Sequence, residues 1–82
     1  RDVNPQAPLH ALVIPKRHIP ALDAASADDA AVVGELSLVA ARVAWEAGYG
    51  DSGFRTVVNN GADAGQTVHH LHLHVLAGRA LR

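Results

Sequence analysis

The spacing of apolar residues divides most of the chain into three strand-like segments and one helix-like segment. "LHALVIPKRH" (9–18) is rich in apolar and β-branched residues and predicts a strand, which must end at Pro15 because proline has no N–H for the ladder. "FRTVVNN" (54–60) predicts a second strand, and "QTVHHLHLHVLA" (66–77) predicts a third that is the longest. The glycine-bearing turn "GADAG" (61–65) separates these last two.

Between the first two strands the apolar period becomes that of a helix. Ser26 and Asp29 have the spacing of a capping box, and Gly48 stands where a C-terminal glycine cap belongs. The apolar positions at helical spacing are Val32, Leu36, Val39, Val43 and Ala47. We therefore predict a helix over about residues 27–47, roughly 30 Å long at 1.5 Å per residue. The order strand, helix, strand, strand predicts an α+β domain with one long helix packed across a mainly antiparallel sheet.

Composition removes several classes of function. A chain of 82 residues has room for one small domain, and the lack of cysteine excludes disulfides and cysteine-ligated zinc. The formal net charge of -1 provides no basic face for a nucleic-acid backbone. No apolar run is long enough to span a bilayer, so we expect a cytoplasmic protein with no nucleic-acid or membrane partner.

Four of the six histidines lie in "HHLHLHVLAG" (69–78). On a strand, His70, His72 and His74 would share one face while the intervening apolar residues share the other. The ordinary alternative is a solvated polar face. Strict alternation of three histidines in the segment that follows "GQT" favours a functional interpretation instead.

Two chemical interpretations of this histidine row stay open on the residues alone. His-x-His on a strand is a common zinc half-site, but His70 and His74 would be roughly 13 Å apart at Cα on a straight strand, too far to share one tetrahedral ion. A two-histidine metal site completed by His10 or Asp63 stays possible. Alternatively, neutral imidazoles suit an extended phosphate, with the middle ring as nucleophile and its neighbours contacting the phosphate oxygens.

The residues also resemble a known family. "GQTVHHLHLHVLAGR" (65–79) is similar to the signature of the histidine triad (HIT) nucleotide hydrolases and transferases, three histidines alternating with apolar residues and followed by two more apolar residues. The resemblance extends through "VVNNGADAGQ" (57–66) and "DVNPQAPLHALVIPKRHI" (2–19) and covers almost the whole chain. These segments resemble the Hint branch, the purine nucleoside phosphoramidases.

The resemblance implies a hydrolase that cleaves nucleoside 5′-phosphoramidates, for example conjugates of AMP, to the nucleoside monophosphate without a metal or cofactor. The alternatives are a dinucleoside polyphosphate hydrolase or nucleotidyl transferase of the same family, and a noncatalytic nucleotide-binding or dimerisation module. Members of this branch are homodimers, which agrees with a helix carrying the small residues Gly34, Ala40, Ala41 and Ala44. The family's domain also carries an N-terminal strand pair with a short helix and a C-terminal tail, so we expect residues 1–82 to form a single HIT domain without them.

Site residues follow from the resemblance position by position. His72 would be the nucleophile that forms a nucleotidyl-histidine, and the carbonyl of His70 would hold its Nδ1 hydrogen. His74 and Gln66 would contact the α-phosphate, and Thr67 would lie near the leaving group.

The remaining matches lie further from the triad along the chain. His10 would complete a catalytic tetrad, Asp2 would bind the ribose hydroxyls, and Val3 would lie against the base. Asn59 would lie near the phosphate and ribose, and Gly65 would let the backbone approach the phosphate closely. No functional role is expected for four nearby basic residues, His18, His69, Lys16 and Arg17.

Overall fold

The fold is an antiparallel sheet of three strands with one helix packed across it. The computed structural model describes residues 7–81, so the predicted roles of Asp2 and Val3 lie outside the described residues. The strands are β1 (Leu9–Val13), β2 (Phe54–Val57) and β3 (Leu73–Ala77), the helix is α1 (Ala30–Glu46), and the sheet order is β1-β3-β2. Both pairs are antiparallel, which confirms the predicted fold class and order of elements.

The hydrophobic core lies between α1 and the sheet. Its buried members are Val13, Ile19, Leu36, Ala40, Ala44, Leu71, Leu73 and Val75. Ala40 and Ala44 are fully buried, so these small side chains bring the helix close to the sheet rather than to a partner molecule. Ala47, expected on the apolar face, is exposed beyond the end of the helix. No helix in residues 7–81 is both long and apolar enough to cross a membrane.

The N-terminal end of the helix follows the predicted capping box. A turn of 3₁₀ helix (Ala27–Asp29) leads directly into α1, and the backbone N–H of Ser26 donates to the Asp29 carboxylate at 2.9 Å. The predicted start at about residue 27 is therefore confirmed, with the first turn tighter than an α-helix.

The C-terminal end is a glycine cap, also as predicted. Gly48 has a positive φ of 94°, a conformation that glycine adopts without a Cβ clash. Its N–H donates to the carbonyl of Trp45 at 3.0 Å, and the N–H of Tyr49 donates to the carbonyl of Ala44 at 2.9 Å. This pair of bonds is the Schellman motif.

The third strand is shorter than predicted, and this prediction was wrong. Expected over 66–77, β3 begins only at Leu73, where it pairs with Val13, the last residue of β1. Two residues beyond Val13 the chain reaches Pro15, which cannot donate to a ladder. The N–H of Leu71 instead donates to the carbonyl of Ile19 at 2.6 Å, in the loop after β1. His70 and His72 therefore precede the strand. The first two strands are also shorter than the predicted segments, which extended to residues 18 and 60.

Candidate active site

The three triad residues lie on one side of a chain segment whose other side is buried. Only His74 belongs to β3, yet the alternation expected of a strand continues back to residue 70. The intervening apolar residues are all buried: Leu71, Leu73 and Val75. Burial of these side chains against α1 and β1 holds the three imidazoles on the opposite, partly accessible side.

His72 is held in one tautomer by a backbone carbonyl. Its Nδ1 lies 2.7 Å from the carbonyl oxygen of His70, which is the hydrogen bond expected from the sequence. A carbonyl oxygen only accepts, so Nδ1 must carry the hydrogen, and the Nε2 of the neutral ring keeps its lone pair. An imidazole prepared in this way can act as a nucleophile.

His10 and His74 form a pair beside His72. The antiparallel pairing of β1 with β3 places Nε2 of His10 3.0 Å from Nδ1 of His74, while the rings of His72 and His74 meet edge to face at 5.1 Å. Burial lowers the pKa of His74 below 6.5, and positive charge on His72 or His10 would lower it further. His74 is therefore neutral at neutral pH, and one ring of the His10–His74 pair can donate a hydrogen bond to the other.

His70 contacts the loop that follows β1. Its Nε2 donates to the carbonyl of Pro15 at 3.1 Å, and the ring of His18 meets its ring edge to face with 5.0 Å between centroids. His18, for which no functional role is expected, therefore lies in contact with a triad residue. Nothing in the local pattern signals this contact, because 52 positions separate the two residues along the chain.

The side-chain amide of Gln66 forms hydrogen bonds with backbone groups of the chain. Its side chain is buried, with 6% of the residue exposed, and its Oε1 accepts from the N–H of Gly61 at 2.9 Å. Its Nε2 donates to the carbonyls of Pro20 at 2.8 Å and Val68 at 3.1 Å. These bonds give Gln66 a role in building the loop before the triad, and the predicted contact with phosphate stays a prediction.

The other predicted residues lie in the turns around this loop. Gly65 has a left-handed conformation with φ 86° and ψ 17°, which gives a conformational reason for glycine at that position. Thr67 is exposed just before the triad, and Asn59 is half-buried just after β2.

Arg17 lies at an exposed loop end, as expected, with 58% of its side chain exposed, and it also forms an ion pair. Its Nε lies 3.2 Å from Oδ1 of Asp29, a buried carboxylate at the start of the helical segment. Neighbouring Lys16 is exposed, as expected at a loop end, and His69 is also exposed.

The geometric argument against a shared metal ion also changes. The distance of 13 Å assumed a straight strand, but His70 and His72 lie outside β3. In residues 7–81, no three His, Asp or Glu side chains are grouped so that they could hold an ion, and this covers the site completed by His10 or Asp63.

Comparison with known proteins places this geometry in a family. The HIT domain model matches residues 1–81. A HIT-like protein of Synechocystis is 58% identical over 79 residues, covering 96% of this chain and 68% of the relative. The crystal structure of a HIT family hydrolase from Legionella pneumophila superposes with a TM-score of 0.92 at 39% identity, covering 100% of this chain and 73% of the other. A HIT family hydrolase from Clostridium thermocellum gives 0.91 at 39% identity, covering 100% and 71%. The chain therefore belongs to the histidine triad (HIT) family.

Proposed function

We propose that this protein is a nucleotide hydrolase of the Hint type, which cleaves nucleoside 5′-phosphoramidates to the nucleoside monophosphate and an amine. The observation that carries the proposal is the hydrogen bond from Nδ1 of His72 to the carbonyl of His70, which leaves Nε2 with a lone pair. The hydrolases among its structural relatives support the general class of reaction.

In the proposed reaction, Nε2 of His72 attacks the α-phosphorus and the bond from phosphorus to the leaving nitrogen breaks. The leaving nitrogen takes a proton, for which Thr67 and the neighbouring imidazoles are the proposed source, and departs as an amine. Water then attacks the phosphorus of the nucleotidyl-histidine and returns a proton to the group that protonated the amine, and the bond from phosphorus to Nε2 breaks to release the nucleoside monophosphate and neutral His72. Neutral His74 would contact the phosphate oxygens, since its lowered pKa keeps it uncharged at neutral pH.

The nucleotide would be held by the other residues expected from the sequence. We propose that Asn59 and Gly65 lie beside the phosphate and ribose, and that Asp2 and Val3 contact the ribose and base.

The test is intact-mass spectrometry after brief exposure to adenosine 5′-phosphoramidate. Wild-type protein should gain the mass of one adenylyl group, and His72→Ala should gain none while binding AMP within about threefold of wild type, because only the attacking atom is lost. His69→Ala is the matched control, since it removes an exposed neighbouring imidazole and should leave adduct and turnover unchanged. An adduct on His72→Ala would rule out this nucleophile. Nucleotide binding without adduct or turnover in wild type would indicate a noncatalytic module.

We also propose that the reaction proceeds without a metal. Neutral imidazole can act as nucleophile and hydrogen-bond donor without an ion, and in residues 7–81 no three His, Asp or Glu side chains are grouped so that they could hold one. Activity should therefore be unchanged in EDTA. Loss of activity in EDTA followed by recovery on adding zinc would favour the metal interpretation.

We further propose that the protein is a homodimer that pairs through the outer face of α1. Leu38 is 70% exposed and Trp45 is 56% exposed, and a spacing of seven residues places them on one helix face. Gly34 and Ala41 lie on the same face, where small side chains allow close approach. Sedimentation velocity should give twice the chain mass of 8.6 kDa, and Leu38→Glu should shift the protein toward monomer. Ala24→Glu, at an exposed position outside α1, should leave the dimer intact.

A further inference from the structure

The loop after β1 lies against the segment that carries the triad. We call residues 15–20 the strap. Three hydrogen bonds join strap carbonyls to the segment before β3: Pro15 accepts from His70 Nε2 at 3.1 Å, Ile19 from Leu71 N–H at 2.6 Å, and Pro20 from Gln66 Nε2 at 2.8 Å. Since this segment lacks a ladder partner in residues 7–81, the strap sets the position of its backbone.

The strap is tied in turn to the start of the helical segment by one ion pair. Arg17 Nε lies 3.2 Å from Asp29 Oδ1, and the other carboxylate oxygen accepts from the N–H of Ser26 at 2.9 Å. Asp29 is buried, and in the described part of the chain its Oδ1 has no hydrogen-bond partner, so Arg17 supplies its counter-charge as an ion pair. Without the guanidinium, Oδ1 of this buried carboxylate would lose its counter-charge and would draw in water at the base of the strap.

The strap holds the two residues on either side of the carbonyl that His72 contacts. The strap holds His70 and Leu71, and the carbonyl between them is the one that accepts from His72 Nδ1 at 2.7 Å. Movement of that carbonyl would weaken the bond, and a neutral imidazole without it populates both tautomers. Only the tautomer with hydrogen on Nδ1 offers a lone pair at Nε2.

We propose that Arg17 and Asp29 are positioning residues that hold His72 in its reactive tautomer through the strap. The proposal rests on the function of His72 proposed above. Neither residue touches the histidine itself, so both act through the backbone carbonyls of the strap and of His70.

The test compares Arg17→Gln with Arg17→Lys and with Lys16→Gln. The Lys16 variant is the matched control, because it removes the same charge from the adjacent exposed strap residue. Two quantities are measured at a temperature where every variant is folded: the single-turnover rate of adenylyl-histidine formation, and the ¹⁵N imidazole shifts of His72, which report its tautomer. AMP affinity is measured alongside.

Arg17→Gln should lower the single-turnover rate roughly tenfold, as expected for a displaced reacting group, with AMP affinity within about twofold of wild type. The His72 shifts should move toward a mixture of tautomers. Arg17→Lys should recover the rate to within about threefold, and Lys16→Gln should match wild type. If Arg17→Gln fails to fold, Asp29→Asn with Asp28→Asn as control replaces it, since asparagine can still accept from Ser26.

A wild-type rate and tautomer in Arg17→Gln, or an equal loss in Lys16→Gln, would overturn the proposal. The ¹⁵N measurement needs no substrate. If wild-type protein forms no adenylyl adduct, the proposed function fails, while the tautomer comparison still decides whether Arg17 positions His72.

Discussion

His74 couples the chemistry of the site to the stability of the protein. Its pKa is lowered by burial first, and then by the charges of His72 and His10, whereas in the unfolded chain it stays near 6.5. Below pH 6.5 the unfolded chain therefore binds this proton more readily than the folded protein. The free energy of unfolding should fall as the pH drops from 6.5 through the folded pKa, and should not depend on this group above 6.5.

Urea denaturation at several pH values between 5 and 7.5 measures this dependence. His74→Gln should flatten the curve below pH 6.5, because the group whose pKa changes on folding is gone. His69→Gln removes an exposed imidazole and should keep the wild-type slope. A wild-type slope in His74→Gln would show that other groups cause the acid sensitivity.

Gln66 should matter more for stability than an ordinary loop residue. Its amide satisfies three backbone groups, and Gln66→Ala would leave the part-buried N–H of Gly61 and two carbonyls without that partner. An unsatisfied buried group costs about 1–3 kcal/mol, so the loss of these part-buried bonds should lower the free energy of unfolding by about 1–3 kcal/mol. Val68→Ala, a truncation of an exposed neighbour, should change it by less than about 0.5 kcal/mol. Similar losses in both variants would contradict the role given to the amide.

The contacts of a single residue could be predicted when its partner is near in sequence, and could not when the partner is distant. The bond from His72 to the His70 carbonyl spans two positions and was expected from the family pattern. Arg17 pairs with Asp29 across a loop whose path has no periodic signal, so the ion pair of this exposed side chain could not be predicted.

Two glycines beside the strands differ in how much room a side chain would have. Gly78 directly follows β3 with φ 105°, and a Cβ there would lie 2.8 Å from the ring of Pro8, just before β1. Gly53 precedes β2 with nearly the same φ, 108°, but a Cβ there would meet nothing within 4 Å.

These two glycines form a matched pair for a test of steric strain. Gly53→Ala should lower the free energy of unfolding by about 1–2 kcal/mol, the cost of a side chain at positive φ. Gly78→Ala should cost at least about 1 kcal/mol more, because the alanine methyl also displaces a rigid ring. Equal losses in chemical denaturation would show that Pro8 moves aside freely.

The elements themselves were more predictable than their lengths. The capping box at Ser26 and the glycine cap at Gly48 fixed both helix ends to within about a residue, because each cap is a local hydrogen-bond pattern. The start of β3 depends instead on where its partner strand ends, and Pro15 lies far from it in sequence. The side chains of residues 70–72 still alternate between the buried and the accessible side, although these residues lie outside β3. Burial, and not strand pairing, produces the alternation there.

We predict that the whole molecule hydrolyses phosphoramidates in preference to dinucleoside polyphosphates. A leaving nitrogen needs a proton that the neighbouring imidazoles can supply, whereas a polyphosphate needs cationic contacts. The fold brings Arg17 to the strap, but its charge is already paired with Asp29. The kcat/KM for adenosine 5′-phosphoramidate should exceed that for diadenosine triphosphate by at least about 100-fold, roughly 2.7 kcal/mol. Equal or reversed preference in a side-by-side assay would exclude the Hint assignment and leave His72 as nucleophile.

The sheet order has a consequence for how the protein is made. β3 is the central strand but the last one in sequence, and within residues 7–81 the strands β1 and β2 each pair only with it. While the chain is being synthesised, neither earlier strand can form its pairing with β3 until residues 73–77 have left the ribosome, and an unpaired strand edge is prone to aggregate. His74 belongs to that same strand, so closing the sheet and bringing His74 to His10 are a single event, and a nascent chain that lacks β3 has neither the fold nor the paired histidines.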